Sequence, residues 1–187
     1  MMTTPAHITA DIRRLCRIIR GLDEPEFVEV MPRSNSGVDN CFIDVRKHAT
    51  ENGGSLQHGW MIWEWPGISA EGVFHAVWRR PDGRLLDITK KQDGERRILF
   101  APDPKRVFAD RQVGSIRIAI GRDPRIREWI DINDRLFRIL RKQARFTGIQ
   151  FETEIVVRGE AYELRKKSLE LQRKLMHSSD ARRATGA

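Results

Sequence analysis

Cysteine is scarce in this chain: only Cys16 and Cys41 occur among 187 residues, so the disulfide framework of a small secreted domain is excluded. No Cys-x-x-Cys or His-x-x-x-His pair is present, which removes the usual anchor of a zinc site. Long apolar runs are also missing. The N-terminus reaches Arg13 and Arg14 before any such run, so it lacks the apolar core of a signal peptide or membrane helix. Nor is there a repeat at the periods of solenoids or propellers. These absences lead us to expect a reduced, cytoplasmic protein that uses no metal or cofactor and meets no membrane.

What is present is charge, unevenly placed. Hydrophobic residues make up 40% of the chain and charged ones 32%, a composition that folds rather than staying disordered. Residues 1–100 hold 14 basic and 14 acidic side chains, whereas the remainder holds 20 and 12, so the whole net charge of +8 lies in the second part. Four of the five tryptophans (Trp60, Trp63, Trp65 and Trp78) lie in the neutral part, and only Trp129 in the basic one. Pro102 and Pro104 mark the boundary. The expectation is an α+β domain over residues 1–101 followed by a basic, mostly helical extension over 102–187.

Periodicity supplies the elements. Ile8, Ile12, Leu15, Cys16 and Ile19 form the stripe of an amphipathic helix that Gly21 ends, and Cys16 reads as a small core residue on it. Residues 27–31 alternate as a short strand. Asp39 and Asn40 offer caps for a helix carrying Phe42, Val45 and Ala49 and closed by Gly53-Gly54, which puts Cys41 on its first turn. Strands are expected at 59–65, 73–80, 84–89 and 97–101. Pro81-Asp82-Gly83 turns the middle pair into a hairpin. Beyond the boundary, Ile126, Ile130, Phe137 and Leu140 share one helix face, with Arg127, Arg135, Arg138, Arg141 and Lys142 opposite. That helix is expected to run through Arg145 to Gly148. A weak strand follows at 151–157, then a charged helix over 160–176 and a frayed polar tail.

Cys41, His75 and Asp87 are the constellation that can carry chemistry. A three-residue bulged turn pairs Arg80 with Arg84, so paired positions sum to 164. His75 and Asp87 are then diagonal neighbours on one face, roughly 7 to 8 Å apart in backbone, a gap that imidazole and carboxylate bridge. A slip of one residue would point them to opposite faces. A thiol attacks as thiolate, a form favoured by a helix N-terminus and a nearby imidazolium. A carboxylate holds the histidine in the right tautomer. Backbone N–H groups at the helix start, with Asn35 or Asn40 as side-chain donors, can stabilise an oxyanion.

The string FHAVWRRPDGRLLDIT, from Phe74 to Thr89, with Asn40-Cys41-Phe42 before it, resembles the transglutaminase-like branch of the papain-like cysteine fold. In that family a Cys opens a helix packed on the sheet, and a hairpin carries the His and the Asp. The resemblance covers residues 39–89. It implies an α+β fold and acyl transfer to or from an amide, thioester or ester, with Cys41 as nucleophile, His75 as base and Asp87 as orienting acid. Two departures are visible: Ile88 follows Asp87 where the family often has Pro, and Gly37-Val38-Asp39-Asn40 leads into Cys41 instead of an aromatic or glycine context.

Alternation puts Trp63 and Trp65 on one strand face, where they are candidates to line an acyl groove, although tryptophans in a sheet more often pack its core. A zinc site from Cys41, His48, His58 and His75 is the weaker competitor. The alternative to an enzyme is a binding module whose Arg135, Arg138, Arg141 and Lys142 touch nucleic acid or an acidic protein, though no nucleic-acid motif accompanies them.

Overall fold

Thr9 opens the first helix, α1 (Ala10–Ile18), by accepting a hydrogen bond from Ile12 N at 3.3 Å, and the helix buries Ile12, Leu15 and Cys16. The structure, a computed structural model, describes residues 2–19, 24–34, 40–91, 94–109, 112–142, 145–146, 151–152 and 158–184, with backbone alone for 145–146, 151–152 and 179–184. After α1 come β1 (Glu26–Glu29), α2 (Cys41–Asn52), β2 (Ser55–Trp65), β3 (Ser69–Arg79), β4 (Leu85–Leu86), β5 (Arg97–Pro102) and β6 (Ile116–Ala119). The chain then forms α3 (Pro124–Leu140), a two-stranded pair β7 (Arg145–Phe146) and β8 (Phe151–Glu152), and α4 (Glu160–Ala184). The class is α+β. No helix among the described residues is long and apolar enough to cross a membrane.

Strands β1 to β6 form one antiparallel sheet in the order β1-β5-β2-β3-β4, with β6 also on β3. The hairpin keeps the expected register: Trp78 pairs with Leu86 and Arg79 with Leu85, while Arg80 N donates to Arg84 O at 2.9 Å. Gly83 takes a φ of +85° there, as the bulged turn requires. The return arm is shorter than expected because the chain leaves β3 after Leu86 and joins β1. Asp87 N donates to Glu29 O, Met31 N to Asp87 O and Arg33 N to Ile88 O. The two ends of the strand order therefore meet through a parallel bridge between Val30 and Asp87.

This closure encloses a core of Val28, Val30, Val77, Ile98 and Phe100, with Met61 and Leu85 packed against it, drawn from all five strands of the ring. The outer face carries α1, whose Ile12, Leu15 and Cys16 cluster with Trp60, Ile62, Phe74 and Leu99. Helix α2 lies on the same outer side, with Val45 against Leu86, Ile88, Leu56 and Trp78.

Several expectations change beyond Ala101. Strand β6 was not anticipated, yet it pairs with β3 from Ser69–Ala119 to Gly72–Ile116. Trp65 and Ile68 share a cluster with Ile126, Trp129, Ile130, Leu171 and Leu175 of α3 and α4. The expected division between 101 and 102 thus falls inside one sheet and one packing unit. Helix α3 ends at Leu140 with Arg141 as its C-cap, so Arg145 belongs to β7 and not to the helix. Helix α4 continues to Ala184 where a frayed tail was expected. No glycine or proline interrupts residues 160–185, which removes the usual reason to stop.

Candidate active site

Strand β3 brings His75 to the site. On one edge β3 is paired by β6 at Ser69–Gly72 and by β4 at Trp78–Arg79. The stretch between them, which holds His75, has no strand beside it among the described residues. Val77 and Leu85 point into the ring's core, and His75 and Asp87 each lie two residues away along the same arms. Both are buried, at 4% and 0% exposure.

His75 Nε2 lies 2.8 Å from Asp87 Oδ2. The other carboxylate oxygen accepts from Thr89 N at 2.9 Å and from Thr89 Oγ1 at 2.6 Å. Lys91, also buried, donates from Nζ to Asp87 Oδ2 at 2.6 Å and to Thr89 Oγ1 at 2.9 Å. Burial alone would push the Asp87 carboxyl up. The charge and hydrogen bond of His75, then those of Lys91, reverse this and hold it well below the usual carboxylate range. An ionised Asp87 can only accept, so the proton shared with it sits on Nε2 of His75. The 3.3 Å approach of Lys91 Nζ to that same Nε2 is then a crowding of donors and not a hydrogen bond.

Burial disfavours charge on His75, yet the ring's pKa is raised to about 9, because the negative charge of Asp87 and then that of the Cys41 sulfur outweigh burial and the opposing Lys91. With Nε2 committed to Asp87, Nδ1 is the ring nitrogen left to exchange a proton.

Cys41 is the first residue of α2 and is buried. Phe42 beside it lies 5.3 Å from Phe74, the neighbour of His75, and stacks on Phe108 at 4.3 Å. Asn40 occupies the N-cap position but its side chain makes no cap hydrogen bond, so its expected role as a mere cap is not realised. Its carbonyl accepts from Ile43 N and Asp44 N, which leaves the N–H groups of Cys41 and Phe42 without an intrahelical partner. Asn35 lies outside the described residues. At Cys16, burial and then the charge of Glu24 push the thiol up to about 11.

The remaining candidates are not gathered here. Trp65 is buried against Trp129, ring centroids 5.7 Å apart, and serves the α3–α4 core. Trp63 pairs with Glu71, whereas His75 pairs with Gly59. Four residues of strand, about 13 Å, separate the two positions along β2. His48 packs edge-on against Trp78, and His58 accepts from Phe108 N at 3.1 Å. Of the basic set, Arg135 is paired with Glu160, and Arg138 Nε donates to Asp134 O at 3.3 Å. Arg141 and Lys142 are exposed at the end of α3. Sequence reasoning missed Lys91 altogether. Thr89 was noticed only as part of the resemblance. Its placement two residues after an Asp is the signal of a side chain folding onto the backbone that follows it. Comparison of the chain with protein-family models, with curated proteins and with solved structures finds no match to any of the three.

Proposed function

We propose that this protein is a thiol-dependent enzyme of the transglutaminase-like kind, catalysing acyl transfer or hydrolysis of an amide or ester. Cys41 is the nucleophile, His75 the base and Asp87 the orienting acid. The observation that carries this reading is the buried 2.8 Å pair of His75 and Asp87, with an imidazole that feels the charge of Cys41 at the start of α2.

In the proposed reaction the Cys41 thiolate attacks the acyl carbon and forms a thioester as the bond to the leaving group breaks. His75 gives the proton on Nδ1 to the departing amine or alkoxide. The N–H groups of Cys41 and Phe42, with the Asn40 amide as a side-chain candidate, stabilise the oxyanion. Water or a second nucleophile then releases the acyl group, with His75 taking its proton. Phe42, the next residue of α2, stacks on Phe108, and this pair is the candidate apolar wall for the substrate in place of Trp63 and Trp65.

Alkylation tests the reading. In the full-length protein, iodoacetamide should modify Cys41 readily at pH 6, where an ordinary thiol with a pKa of about 8.5 is nearly inert. His75→Ala should slow that reaction roughly tenfold or more, and Cys16 should stay unmodified in the folded state. If Cys41 reacts only above about pH 8, or equally fast in the variant, the cluster is a buried structural ion group and the proposal fails.

A further inference from the structure

A second region collects positive charge. Arg14 of α1, Arg122 before α3 and Arg127 of α3 line a cleft of 360 Å³ that no carboxylate lines. The cleft shares Arg14, Ala119 and Arg127 with an adjoining hollow of 300 Å³, whose walls include Ile118 and Ile130 and whose rim carries Asp131. Three other guanidiniums near α3 are paired: Arg125 with Asp123, Arg135 with Glu160, and Arg117 with both Glu71 and Asp134. Arg14 is held by Asp11 at 3.1 Å and by Ala119 O at 2.7 Å, which fixes its direction at the cleft. The side chains of Arg122 and Arg127 have no ion pair or hydrogen bond among the described residues.

Asp11 balances Arg14, but Arg122 and Arg127 bring two further guanidiniums to the same hollow from a turn and a second helix, and an anion between them relieves their repulsion. A carboxylate is planar and is satisfied by a single guanidinium fork. A phosphate presents oxygens in several directions and can take more than one fork at once. The apolar walls from Ile118, Ile120 and Ile130 favour an organic body attached to that anion. Both hollows fall within the range of small-molecule sites, roughly 300 to 1,000 Å³.

We propose that the cleft between α1, β6 and the start of α3 binds a small organic phosphate, a phosphomonoester or diphosphate, clamped by Arg122 and Arg127 with Arg14 as the third contact. The site is built from residues that take no part in the Cys41 chemistry, so it stands or falls separately from the proposed enzyme activity.

Calorimetric titration of the full-length protein at physiological salt, with pyrophosphate and ATP as probes and sulfate as a control anion, tests it. We expect one site per chain for pyrophosphate or ATP and much weaker binding of sulfate. The exposed pair Arg122→Ala/Arg127→Ala should weaken binding roughly tenfold or more without changing the thermal midpoint of the unliganded protein. Arg138→Ala/Arg141→Ala, further along the chain, should bind as the wild type does. No binding of either probe at millimolar concentration overturns the proposal, as does equal affinity in the Arg122/Arg127 variant. Binding of oligonucleotides that tightens with length and weakens equally in both double variants would also overturn it, marking a general polyanion surface instead of a site.

Discussion

Asp87 accepts from four protein donors, two on each oxygen. Such a group is costly to leave unpaired, and its protonation state is tied to the fold. His75 is raised from 6.5 to about 9 in the folded protein, with its charged form held by Asp87 and Cys41 against the cost of burial. The stability this confers is fully present below pH 6.5 and is lost as the pH rises through about 9. Its size is about 3 kcal/mol. Asp87 acts in the opposite sense: its contribution is present above its ordinary value of 3.8 and is lost as the pH falls below it. Urea melts at a series of pH values should therefore show a plateau between these limits and a decline toward pH 9.5 that is absent in His75→Ala. Lys91→Met removes the charge that opposes the imidazolium, so the alkaline decline should move to higher pH. An unchanged alkaline limb in both variants would show that His75 is not the titrating group. The His75–Asp87 pair was legible because Pro81-Asp82-Gly83 fixes the hairpin register by local chemistry. Lys91 was not, since the chain has left the strand by then and no spacing rule says where a loop lysine reaches.

At the scale of elements, α1, α2, α3 and most of the strands follow from their periodicity and caps, while the errors fall where a partner strand decides the outcome. Strand β4 is two residues long because Asp87 and Ile88 bond to β1, a choice no alternation pattern encodes. The four residues of β6 are too few to signal a strand by themselves and take their form from β3. Trp65 followed the groove pattern by alternation but was claimed by Trp129, which lies 64 positions later in the chain. Gly59 is a sharper case. It pairs with His75, and a Cβ there would lie 2.3 Å from Phe100 Cζ and 2.5 Å from Ala101 O. The glycine lets the Phe100 ring cover the strand next to the catalytic candidate. Gly59→Ala should destabilise the protein by about 1–3 kcal/mol in chemical denaturation and, by displacing Phe100, alter the rate at which iodoacetamide reaches Cys41. A neutral effect on both would mean that the ring core yields more easily than its burial implies.

For the whole molecule, the compositional divide at residue 101 is real in charge and misleading in architecture. The helices beyond it cover Trp65 and Ile68, and Arg117 of β6 ties Glu71 of β3 to Asp134 of α3 at 2.6 and 3.0 Å. A fragment of residues 1–101 should therefore expose these side chains and lack native circular dichroism and cooperative melting, whereas the full chain melts cooperatively. A fragment that folds by itself would restore the two-part reading. Charge marked the second part because helix surfaces there are solvated, and apolar contacts that join it to the sheet leave no trace in a charge count.

The bridge between Val30 and Asp87 makes one residue serve two structures. It joins residues 57 positions apart and closes the ring, and the same residue that makes the seam carries the buried carboxylate paired with His75. Opening the seam would bring water to a charge that the closed ring keeps dry, so the β1–β4 seam and the His75–Asp87 pair should loosen together and not one before the other.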